Sequence, residues 1–355
     1  MTDLFGQDRP WLIAGPCSAE SEEQLMQTAS GLAPLGVGVF RAGLWKPRTR
    51  PGCFEGVGEQ GLPWLMRVRD AFGMPVCTEV AGASHVEKCL AAGVDLLWIG
   101  ARTTTNPFLV QEIASALSGS DVPVLVKNPV GADVSLWEGA VERLLLSGVS
   151  RIGLVFRGIQ AIGSGVYRNA PEWHLTAQMK QAFPDFPIFC DPSHIAGDAS
   201  LVGGLCQRAM DLGFDGLMVE SHCCPERALS DAAQQLTPEA LGAVLRTLRV
   251  RRPSALDAGL EAQIAELRSG IDALDDELLR VLGARMDLCR AIGRCKSTGG
   301  VSILQPSRWD DVIRGAVQRC EAYGLDTEII TKIFNIIHSA SIAEQNKILE
   351  NDSEN

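Results

Sequence analysis

Residues 123–129 read PVLVKNP, an apolar run that is bounded by prolines and carries a lysine near its end. Residues 95–102, DLLWIGAR, and residues 151–158, RIGLVFRG, repeat this arrangement with an arginine in place of the lysine. Each run is apolar almost throughout and does not alternate, which is typical of parallel strands that are covered on both faces. The three runs therefore predict buried parallel strands with cations at their carboxyl ends.

Eight runs of this kind occur, and amphipathic helical segments fill most of the gaps between them. The predicted strands are Trp11–Cys17, Val37–Gly43, Met74–Val80, Asp95–Ala101, Pro123–Pro129, Arg151–Gly158, Phe186–His194 and Gly216–His222. The clearest predicted helices are Ser84–Ala92, Phe108–Leu117, Leu136–Leu146 and Ala199–Leu212. Eight β/α units in roughly 235 residues match an α/β fold of the (β/α)8 TIM barrel type. A doubly wound open sheet is the alternative, which the count of eight disfavours.

Cationic side chains fall at the ends of several of these runs, namely Arg41, Lys46, Arg102, Lys127 and Arg157. In a parallel barrel the loops after the strands build the active face, so these side chains should converge there. The chain as a whole has a net charge of −11. A local group of cations in an acidic protein predicts a pocket for anionic, phosphorylated substrates.

The composition is that of a globular protein with two domains, because 355 residues are too many for one ordinary core. The acidic charge argues against a nucleic-acid or anionic-membrane partner. No apolar segment approaches the roughly 20 residues that span a bilayer, and the N-terminus shows no signal peptide. The eleven cysteines are odd in number and scattered, which indicates free thiols in a reducing compartment. We therefore expect a cytoplasmic protein.

The pattern changes near Arg249–Asp257, after which the strand signals stop. From Gly259 to about Lys296, apolar residues recur at intervals of four and three, which predicts one helix of roughly 38 residues, about 57 Å long. A small domain cannot cover the apolar stripe of so long a helix, so we expect a homodimer through this region. Two more helices are predicted at Ser307–Tyr323 and Asp326–Leu349. The predicted domains are a barrel over 1–248, a linker over 249–258, a three-helix all-α domain over 259–350 and a frayed tail over 351–355.

Four candidate metal ligands also lie at predicted strand ends or in the loops that follow: Cys17, His194, Glu220 and Asp231. One thiolate, one imidazole and two carboxylates suit a divalent first-row ion better than a structural zinc site, which prefers cysteine and histidine. Taken singly, each residue has a commoner structural explanation, since a lone cysteine in a strand usually belongs to the core. Their coincidence on one face of one barrel predicts a metal site.

Short motifs follow one another in order over roughly residues 9–248. They are Gly15-Pro16-Cys17-Ser18, Lys46-Pro47-Arg48-Thr49, Gly100-Ala101-Arg102, Val126-Lys127-Asn128, Arg157-Gly158, Asp191-Pro192-Ser193-His194 and Ser230-Asp231. Together they resemble the family of 3-deoxy-D-arabino-heptulosonate 7-phosphate (DAHP) synthases, the entry enzymes of the shikimate pathway. The short N-terminus resembles the compact branch of that family.

The resemblance implies specific roles for these residues. The metal, commonly manganese (Mn2+) or another divalent ion, would be held by Cys17, His194, Glu220 and Asp231. Phosphoenolpyruvate would be bound by Arg41, Lys46, Arg102, Lys127 and Arg157. Arg48 and Thr49 would bind erythrose 4-phosphate, including its phosphate group. The alternative is a sister synthase that uses arabinose 5-phosphate or an N-acyl sugar, and the intact Lys-Pro-Arg-Thr run favours erythrose 4-phosphate.

Three residues are candidates for the chemical steps. Lys46 is expected to donate a proton to the developing alkoxide, because a lysine among cations should have a lowered pKa. Glu79, at the end of the third predicted strand, is expected to orient the attacking water. His194 would act beside the metal ion, which serves as a Lewis acid for the aldehyde.

The helical region, about residues 260–348, resembles the all-helical chorismate mutase family. The matching positions are Leu267-Arg268-Ser269-Gly270-Ile271-Asp272, Arg285, Lys296, Pro306, Arg308, Ser341 and Gln345. The resemblance implies that chorismate is bound by Arg268, Arg285, Lys296, Arg308, Ser341 and Gln345. Arg268 lies about 25 Å before Arg285 along the helix, so it would serve the pocket of a partner subunit.

Two positions depart from the mutase pattern. Trp309 stands where the family usually has a glutamate, and Gln305 stands where many members have an acidic residue. The glutamate would accept a hydrogen bond from the chorismate hydroxyl, whereas an indole can only donate. We expect a bifunctional enzyme whose mutase domain also lets prephenate or chorismate regulate the synthase. The alternative is a catalytically weak or silent module for dimerisation or ligand sensing.

Overall fold

The computed structural model describes residues 1–5, 10–48, 51–160, 165–251 and 257–353. The chain forms two compact units, Met1–Pro253 and Ser254–Asn355. Thr49 of the predicted aldose site and half of the predicted linker, 252–256, lie outside the described residues. None of the described helices is both long enough and apolar enough to cross a membrane.

Within the described residues, the first unit is a closed barrel of eight parallel strands. The strands are β1 Trp11–Gly15, β2 Val39–Arg41, β3 Val76–Val80, β4 Leu96–Ile99, β5 Val124–Lys127, β6 Ile152–Phe156, β7 Ile188–Cys190 and β8 Gly216–Glu220. Each strand pairs with the next in the chain, and β1 pairs with β8 from Trp11–Gly216 to Gly15–Glu220. The predicted TIM barrel is confirmed, and the open-sheet alternative is wrong.

In the described part of the chain, one principal helix follows each strand and covers the barrel. The helices are α1 Glu22–Leu32, α2 Leu62–Phe72, α3 Ala83–Ala92, α4 Pro107–Ala116, α5 Val134–Leu146, α6 His174–Ala182, α7 Ala199–Asp211 and α8 Pro238–Thr247. Side chains cap several first turns, as where Asn106 accepts hydrogen bonds from the backbone of Phe108 and Leu109. Shorter elements are the helical turns Thr2–Phe5, Ala101–Thr104 and Pro192–Ala196, and the antiparallel pair Ile159–Gln160 and Asn169–Ala170.

Two apolar layers follow from the alternation of side chains along the strands. One layer lies between strands and helices and includes Leu97 of β4 and Leu65 of α2. The other consists of strand residues that face the barrel interior, among them Trp11 and Trp98. The ring of Phe5 stacks on Trp11 with the centroids 5.2 Å apart. The inner layer thus fills the barrel from its amino-terminal end and leaves the carboxyl end to polar side chains.

The second unit consists, in its described residues, of the helices α9 Ala258–Gly299, α10 Pro306–Cys320 and α11 Thr327–Ser353. Both α9 and α10 pack against α11, so the predicted all-α domain is confirmed. With 42 residues, α9 is slightly longer than predicted and extends about 63 Å. Leu267 and Leu274 of its apolar stripe are exposed in this chain. The last helix continues to Ser353, into the segment predicted to be frayed.

Candidate active site

A cavity of about 480 Å³ opens at the carboxyl ends of the barrel strands. Among the described residues, its wall carries seven cations, two carboxylates and one imidazole. The cations are Arg41, Lys46, Arg48, Arg102, Lys127, Arg157 and Arg168, and the acidic residues are Glu79 and Asp231. The structure thus brings together the five cations that the sequence predicts for phosphoenolpyruvate.

Arg41 and Lys127 are buried beneath this cavity and lie over the indole ring of Trp98. The guanidinium carbon of Arg41 is 4.9 Å from the ring centroid and Lys127 Nζ is 5.8 Å from it, so the ring face stabilises both cations. Arg41 Nη2 donates to Glu220 Oε1 at 3.1 Å. Within the described residues, its Nε and Nη1 have no hydrogen-bond partner. Because buried donors without a partner are costly, these groups are suited to meet an anion.

Arg157 follows β6 and is held by two asparagines. Its Nη1 donates to Asn169 Oδ1 at 3.1 Å, and its backbone N–H donates to Asn128 Oδ1 at 2.7 Å. Asn128 also donates to the carbonyl oxygen of Gly158 and therefore ties the end of β5 to the end of β6. Burial lowers the pKa of Arg157 to about 10, so the guanidinium remains charged at neutral pH.

The loop after β2 carries Lys46 and Arg48 into the cavity. The backbone N–H of Lys46 donates to the carbonyl oxygen of Glu55 at 2.8 Å, and Arg48 Nε donates to that of Phe54 at 2.9 Å. These bonds fold the loop back on itself. Arg102 lies in the helical turn after β4 and is exposed at the cavity wall.

The structure corrects the expected pKa of Lys46. Burial alone would lower this pKa, but the acidic groups beside Lys46, which are Cys17 in its ionised form and the carboxylates of Glu79 and Glu220, outweigh burial and raise it above the usual value. The expected lowering is wrong because it considered the neighbouring cations without the carboxylates that β3 and β8 bring beside them. Lys46 is therefore an ammonium at neutral pH, and it is a weaker acid than the expected lowering of its pKa would have made it.

Cys17, Glu220 and Asp231 form a cluster of candidate metal ligands, in which one ligand atom from each residue lies within 4.8 Å of the others. His194 borders the cluster, with Nε2 3.8 Å from Glu220 Oε1 and 4.0 Å from Asp231 Oδ2. One sulfur, one imidazole nitrogen and two carboxylates around one point suit a divalent first-row ion. The four predicted ligands thus fit such an ion.

The protonation of the cluster follows from its burial and charges. Cys17 Sγ donates to Asp231 Oδ2 at 3.3 Å. Burial, followed by the charge of Glu220, raises the pKa of Cys17 to about 12, so a metal ion has to displace the thiol proton. Burial would raise the pKa of Glu220, but the charges of His194 and Arg41 outweigh it and lower this pKa. The carboxylate is therefore ionised and available as a ligand.

Asp191, which begins the Pro192–Ala196 turn, lies between His194 and Lys127. Its Oδ2 is 2.8 Å from His194 Nδ1 and 2.6 Å from Lys127 Nζ. Burial would raise the pKa of Asp191, but the charges of His194 and Lys127 hold it well below the usual value. Because the Asp191 carboxylate lies beside Nδ1 of His194, the other ring nitrogen, Nε2, faces the cluster of candidate metal ligands. Asp191 was not among the predicted site residues, although its place three residues before His194 was a usable signal.

Glu79, at the end of β3, lines the cavity beside Gly100. A Cβ at residue 100 would lie 2.0 Å from Glu79 Oε1, so the glycine makes room for the carboxylate. The predicted role of Glu79 in orienting water stays a prediction.

Besides Asp191, three further polar residues of the site were not predicted: Arg168, Asn169 and Gln234. Arg168 lines the cavity, and Asn169 Nδ2 donates to the carbonyl oxygen of His194 at 2.6 Å. Gln234 Nε2 donates to Glu220 Oε2 at 2.7 Å. All three lie in connections without hydrophobic periodicity, so no pattern in the sequence marks them.

In the helical unit, the structure brings Arg285 of α9 to Ser341 of α11, whose hydroxyl accepts a hydrogen bond from Arg285 Nη1. Gln345, one turn further along α11, is buried, and its Oε1 has no hydrogen-bond partner among the described residues. Lys296 Nζ donates to the carbonyl oxygen of Ile303 at 2.7 Å. Arg285, Ser341 and Gln345, three of the six predicted chorismate ligands, thus lie along the packed faces of α9 and α11.

Arg268 and Arg308 are exposed in this chain, and Arg268 lies about 25 Å along α9 from Arg285. Trp309 of α10 stacks on His338 of α11, with ring centroids 3.9 Å apart and planes 19° apart. Burial, followed by the charge of Arg285, lowers the pKa of His338. His338 is therefore neutral at pH 7 and has one acceptor nitrogen.

Two family models match the chain. The model of the DAHP synthetase I family matches residues 2–252. The model of chorismate mutase type II matches residues 267–346. The two matches fall on the barrel and on the helical unit, respectively.

Individual proteins resemble the barrel region. A phospho-2-dehydro-3-deoxyheptonate aldolase from Thermotoga maritima is 38% identical over 63% of this chain and 64% of its own length, so the match spans slightly less than two thirds of that relative. A 2-dehydro-3-deoxyphosphooctonate aldolase from Wolinella succinogenes is 30% identical over 67% of this chain and 97% of its own length. The crystal structure of the Thermotoga maritima DAHP synthase has a TM-score of 0.60 and 36% identity, covering 66% of this chain and 67% of that one. A truncated form has a TM-score of 0.58 and 34% identity, covering 66% of this chain and 84% of that one.

Proposed function

The chain belongs to the DAHP synthetase I family, and from this membership we propose that its barrel condenses phosphoenolpyruvate with erythrose 4-phosphate to give DAHP and phosphate. The observation that carries the proposal is the cavity in which seven cations, counted among the described residues, face the cluster of Cys17, Glu220 and Asp231. Phosphoenolpyruvate carries a phosphate and a carboxylate, so several fixed cations are needed to bind it in one orientation.

Six of the cavity cations are divided between the two substrates by the roles that the family resemblance implies. We assign phosphoenolpyruvate to Arg41, Lys46, Arg102, Lys127 and Arg157. The Nε and Nη1 groups of Arg41, which have no hydrogen-bond partner among the described residues, support this assignment because they are available to donate to an anion. We assign the phosphate of the aldose to Arg48, which lines the cavity, and to Thr49 next to it in sequence.

In the proposed reaction, the enol carbon of phosphoenolpyruvate attacks the aldehyde carbon of erythrose 4-phosphate. The aldehyde oxygen takes up a proton, water adds to C2 of the phosphoenolpyruvate part, and the bond from C2 to the phosphate oxygen breaks. Lys46 is our candidate for the proton donor, and Glu79 is our candidate for orienting the water. A divalent ion, for which we propose Mn²⁺, would supply Lewis-acid stabilisation of charge on the aldehyde oxygen. Cys17, His194, Glu220 and Asp231 would hold it.

A condensation with arabinose 5-phosphate is the alternative for the barrel. To distinguish the two, phosphoenolpyruvate consumption is followed with each aldose after treatment with EDTA and after restoring individual metals. Consumption with erythrose 4-phosphate that requires a divalent ion would support the proposal. Faster consumption with arabinose 5-phosphate would overturn the assigned aldose.

For the helical unit, which matches chorismate mutase type II, we propose the conversion of chorismate to prephenate. Chorismate is a dianion that rearranges without covalent catalysis, so fixed cations and donors are sufficient in principle. Arg285 with Ser341 would bind a carboxylate, and Lys296 with Gln345 would stabilise the ether oxygen. Arg308 of the same chain would also contribute to this pocket. We further propose a homodimer, in which the partner subunit's Arg268 would complete the pocket.

The Trp309–His338 stack favours a second candidate, a weak or silent module that binds chorismate or prephenate and regulates the barrel. Loss of chorismate absorbance with the full chain, beyond the uncatalysed rate, would support the mutase. Chorismate binding without turnover would support the silent module. Feedback is tested in the full chain by adding prephenate to the synthase assay. If Arg285→Met is inhibited as strongly as the wild type, the helical unit does not mediate the inhibition.

A further inference from the structure

We infer that Gln234 and Arg168 are positioning residues for the two carboxylates of the candidate metal site. In the metal-free protein they already hold one carboxylate oxygen of Asp231 away from the other candidate ligands. The inference rests on the proposed function, since it takes Cys17, His194, Glu220 and Asp231 as metal ligands. It concerns side chains that do not themselves belong to the ligand set.

Gln234 bridges a ligand and an arginine. Its Nε2 donates to Glu220 Oε2 at 2.7 Å, and its Oε1 accepts from Arg168 Nη1 at 2.8 Å. The side chain is buried, with 1% exposure, and it does not line the cavity as far as the described residues define it. The amide therefore serves the carboxylate and not a substrate.

Arg168 continues the bridge to the second carboxylate. The same Nη1 donates to Asp231 Oδ1 at 3.1 Å. The other oxygen, Oδ2, lies 3.3 Å from Cys17 Sγ and 4.0 Å from His194 Nε2. One oxygen of Asp231 is thus engaged by the arginine, and the other faces the remaining ligands.

The backbone supports this arrangement at both ends. The backbone N–H of Arg168 donates to the carbonyl oxygen of Ala196 at 3.2 Å. A Cβ at Gly197 would lie 2.4 Å from Arg168 Cβ, so the glycine allows the arginine to pass close to the turn that carries His194. Asp231 has a φ of 47°, the one positive φ of a non-glycine residue among those described. Such a conformation persists only where surrounding contacts hold it.

Glu220 completes a continuous chain of hydrogen bonds. Its Oε1 accepts from Arg41 Nη2 at 3.1 Å while its Oε2 accepts from Gln234. These hydrogen bonds link Arg41 to Glu220, Glu220 to Gln234, Gln234 to Arg168 and Arg168 to Asp231. Partners of this kind orient metal ligands, and their loss typically weakens metal binding about 10–100-fold.

Gln234→Leu tests the positioning without changing a charge. We expect the full-length, metal-stripped variant to bind Mn²⁺ about 10–100-fold more weakly than the wild type, as measured by the electron paramagnetic resonance signal of free Mn²⁺. Gln111→Leu is the matched control, because Gln111 accepts a hydrogen bond from Arg143 at 3.0 Å on the protein surface. A circular dichroism spectrum and a thermal melt show that each variant is folded.

Arg168→Met has two opposing effects on affinity, because it removes a hydrogen-bond donor and also a cation that repels a metal ion. A spectroscopic readout separates them. With Co²⁺ in place of Mn²⁺, we expect the d–d absorption to change in Arg168→Met, since Asp231 Oδ1 becomes free to turn toward the ion. Arg168→Lys, which keeps a donor, should restore much of the wild-type spectrum, and Arg143→Met should not alter it.

The outcomes separate this inference from the proposed function. Unchanged Mn²⁺ affinity in Gln234→Leu, together with an unchanged Co²⁺ spectrum in Arg168→Met, would overturn the inference. A raised KM for the aldose in Arg168→Met with an unaltered Co²⁺ spectrum would make Arg168 a substrate ligand and would likewise overturn it. If the wild-type protein binds neither ion, the metal site itself fails, and the inference fails with it.

Discussion

The ammonium of Lys127 lies 2.6 Å from Oδ2 of Asp191, and both side chains are almost fully buried. The same carboxylate oxygen lies 2.8 Å from His194 Nδ1. One aspartate therefore contacts both Lys127, which we assign to phosphoenolpyruvate, and His194, which we assign to the metal ion. Changes at Asp191 should affect the binding of both the anionic substrate and the metal ion that we propose for this site.

Asp191→Asn is the first prediction. It leaves Lys127 buried without a counter-charge and removes the carboxylate beside His194. We expect the free energy of unfolding to fall by about 3–5 kcal/mol and Mn²⁺ affinity to fall about 10–100-fold. Urea unfolding and Mn²⁺ titration measure the two effects. Asp198→Asn is the control, because Asp198 also caps a helix but lies on the surface, and equal losses in both variants would contradict the assignment.

Arg157→Met is expected to weaken phosphoenolpyruvate binding. The guanidinium stays charged in its buried setting, and a hydrogen bond to a charged group is worth about 1.5–3 kcal/mol. That range corresponds to a KM for phosphoenolpyruvate raised roughly 10–150-fold. Steady-state kinetics measure it, with Arg143→Met as a surface control. An unchanged KM would remove Arg157 from the binding site.

Cys17→Ser is expected to abolish the sulfur-to-metal charge-transfer absorption of the Co²⁺-loaded protein, because a serine hydroxyl supplies no thiolate. EDTA should remove synthase activity from the wild type, and Mn²⁺ should restore it. Cys53→Ser is the control, since Cys53 is an exposed cysteine of the same unit. A charge-transfer band that survives in Cys17→Ser would show that another thiol binds the ion.

Alkaline pH is expected to destabilise the barrel through its buried thiols. Burial raises the pKa of Cys77 from 9.0 to about 12, so above pH 9 the unfolded chain loses this proton while the folded chain keeps it. The thiol therefore stabilises the fold below pH 9, and this contribution falls by about 1.4 kcal/mol per pH unit as the pH rises toward 12.

Urea unfolding between pH 8.5 and 11, followed by tryptophan fluorescence, measures this slope. Six of the seven tryptophans precede residue 250, so the signal reports mainly on the barrel. Cys77→Ala should flatten the slope whatever its effect on stability at pH 7, and Cys53→Ala is the exposed control. An identical slope in Cys77→Ala would contradict the prediction.

Trp309→Glu is expected to raise kcat/KM for chorismate about tenfold or more, because it restores an acceptor worth about 1.5–3 kcal/mol. It also removes the stack on His338. Chorismate absorbance measures the change, and synthase activity in the same preparation should be unaffected. Trp309→Phe, which keeps an aromatic ring for the stack, is the control. A lower kcat/KM in Trp309→Glu would show that the indole itself serves the pocket.

The barrel and much of the site could be predicted because each strand is a local apolar run, and several of these runs are followed by a cation at the carboxyl end. What could not be predicted depends on contacts between distant parts of the chain. The pKa of Lys46 depends on Glu79 of β3 and Glu220 of β8, which are distant in sequence and come close to Lys46 only in the folded barrel. Arg168 and Gln234 lie in connections without periodicity and act on residues far away in sequence. Asp191 belongs to one of the motifs that carry the family resemblance, but only its distances to His194 and Lys127 show its role.

The pairing of β1 with β8 has a consequence for metal binding while the polypeptide is being synthesised. Cys17 follows the first strand, whereas Glu220 ends the last strand and Asp231 comes after it, 214 residues from Cys17. A growing chain that lacks the eighth strand holds a lone thiol and an imidazole, which are too few ligands for a stable complex. If the four proposed residues bind the metal ion, tight binding would have to wait until the ring of strands closes. The metal content of a sample would then measure the fraction of completed barrels.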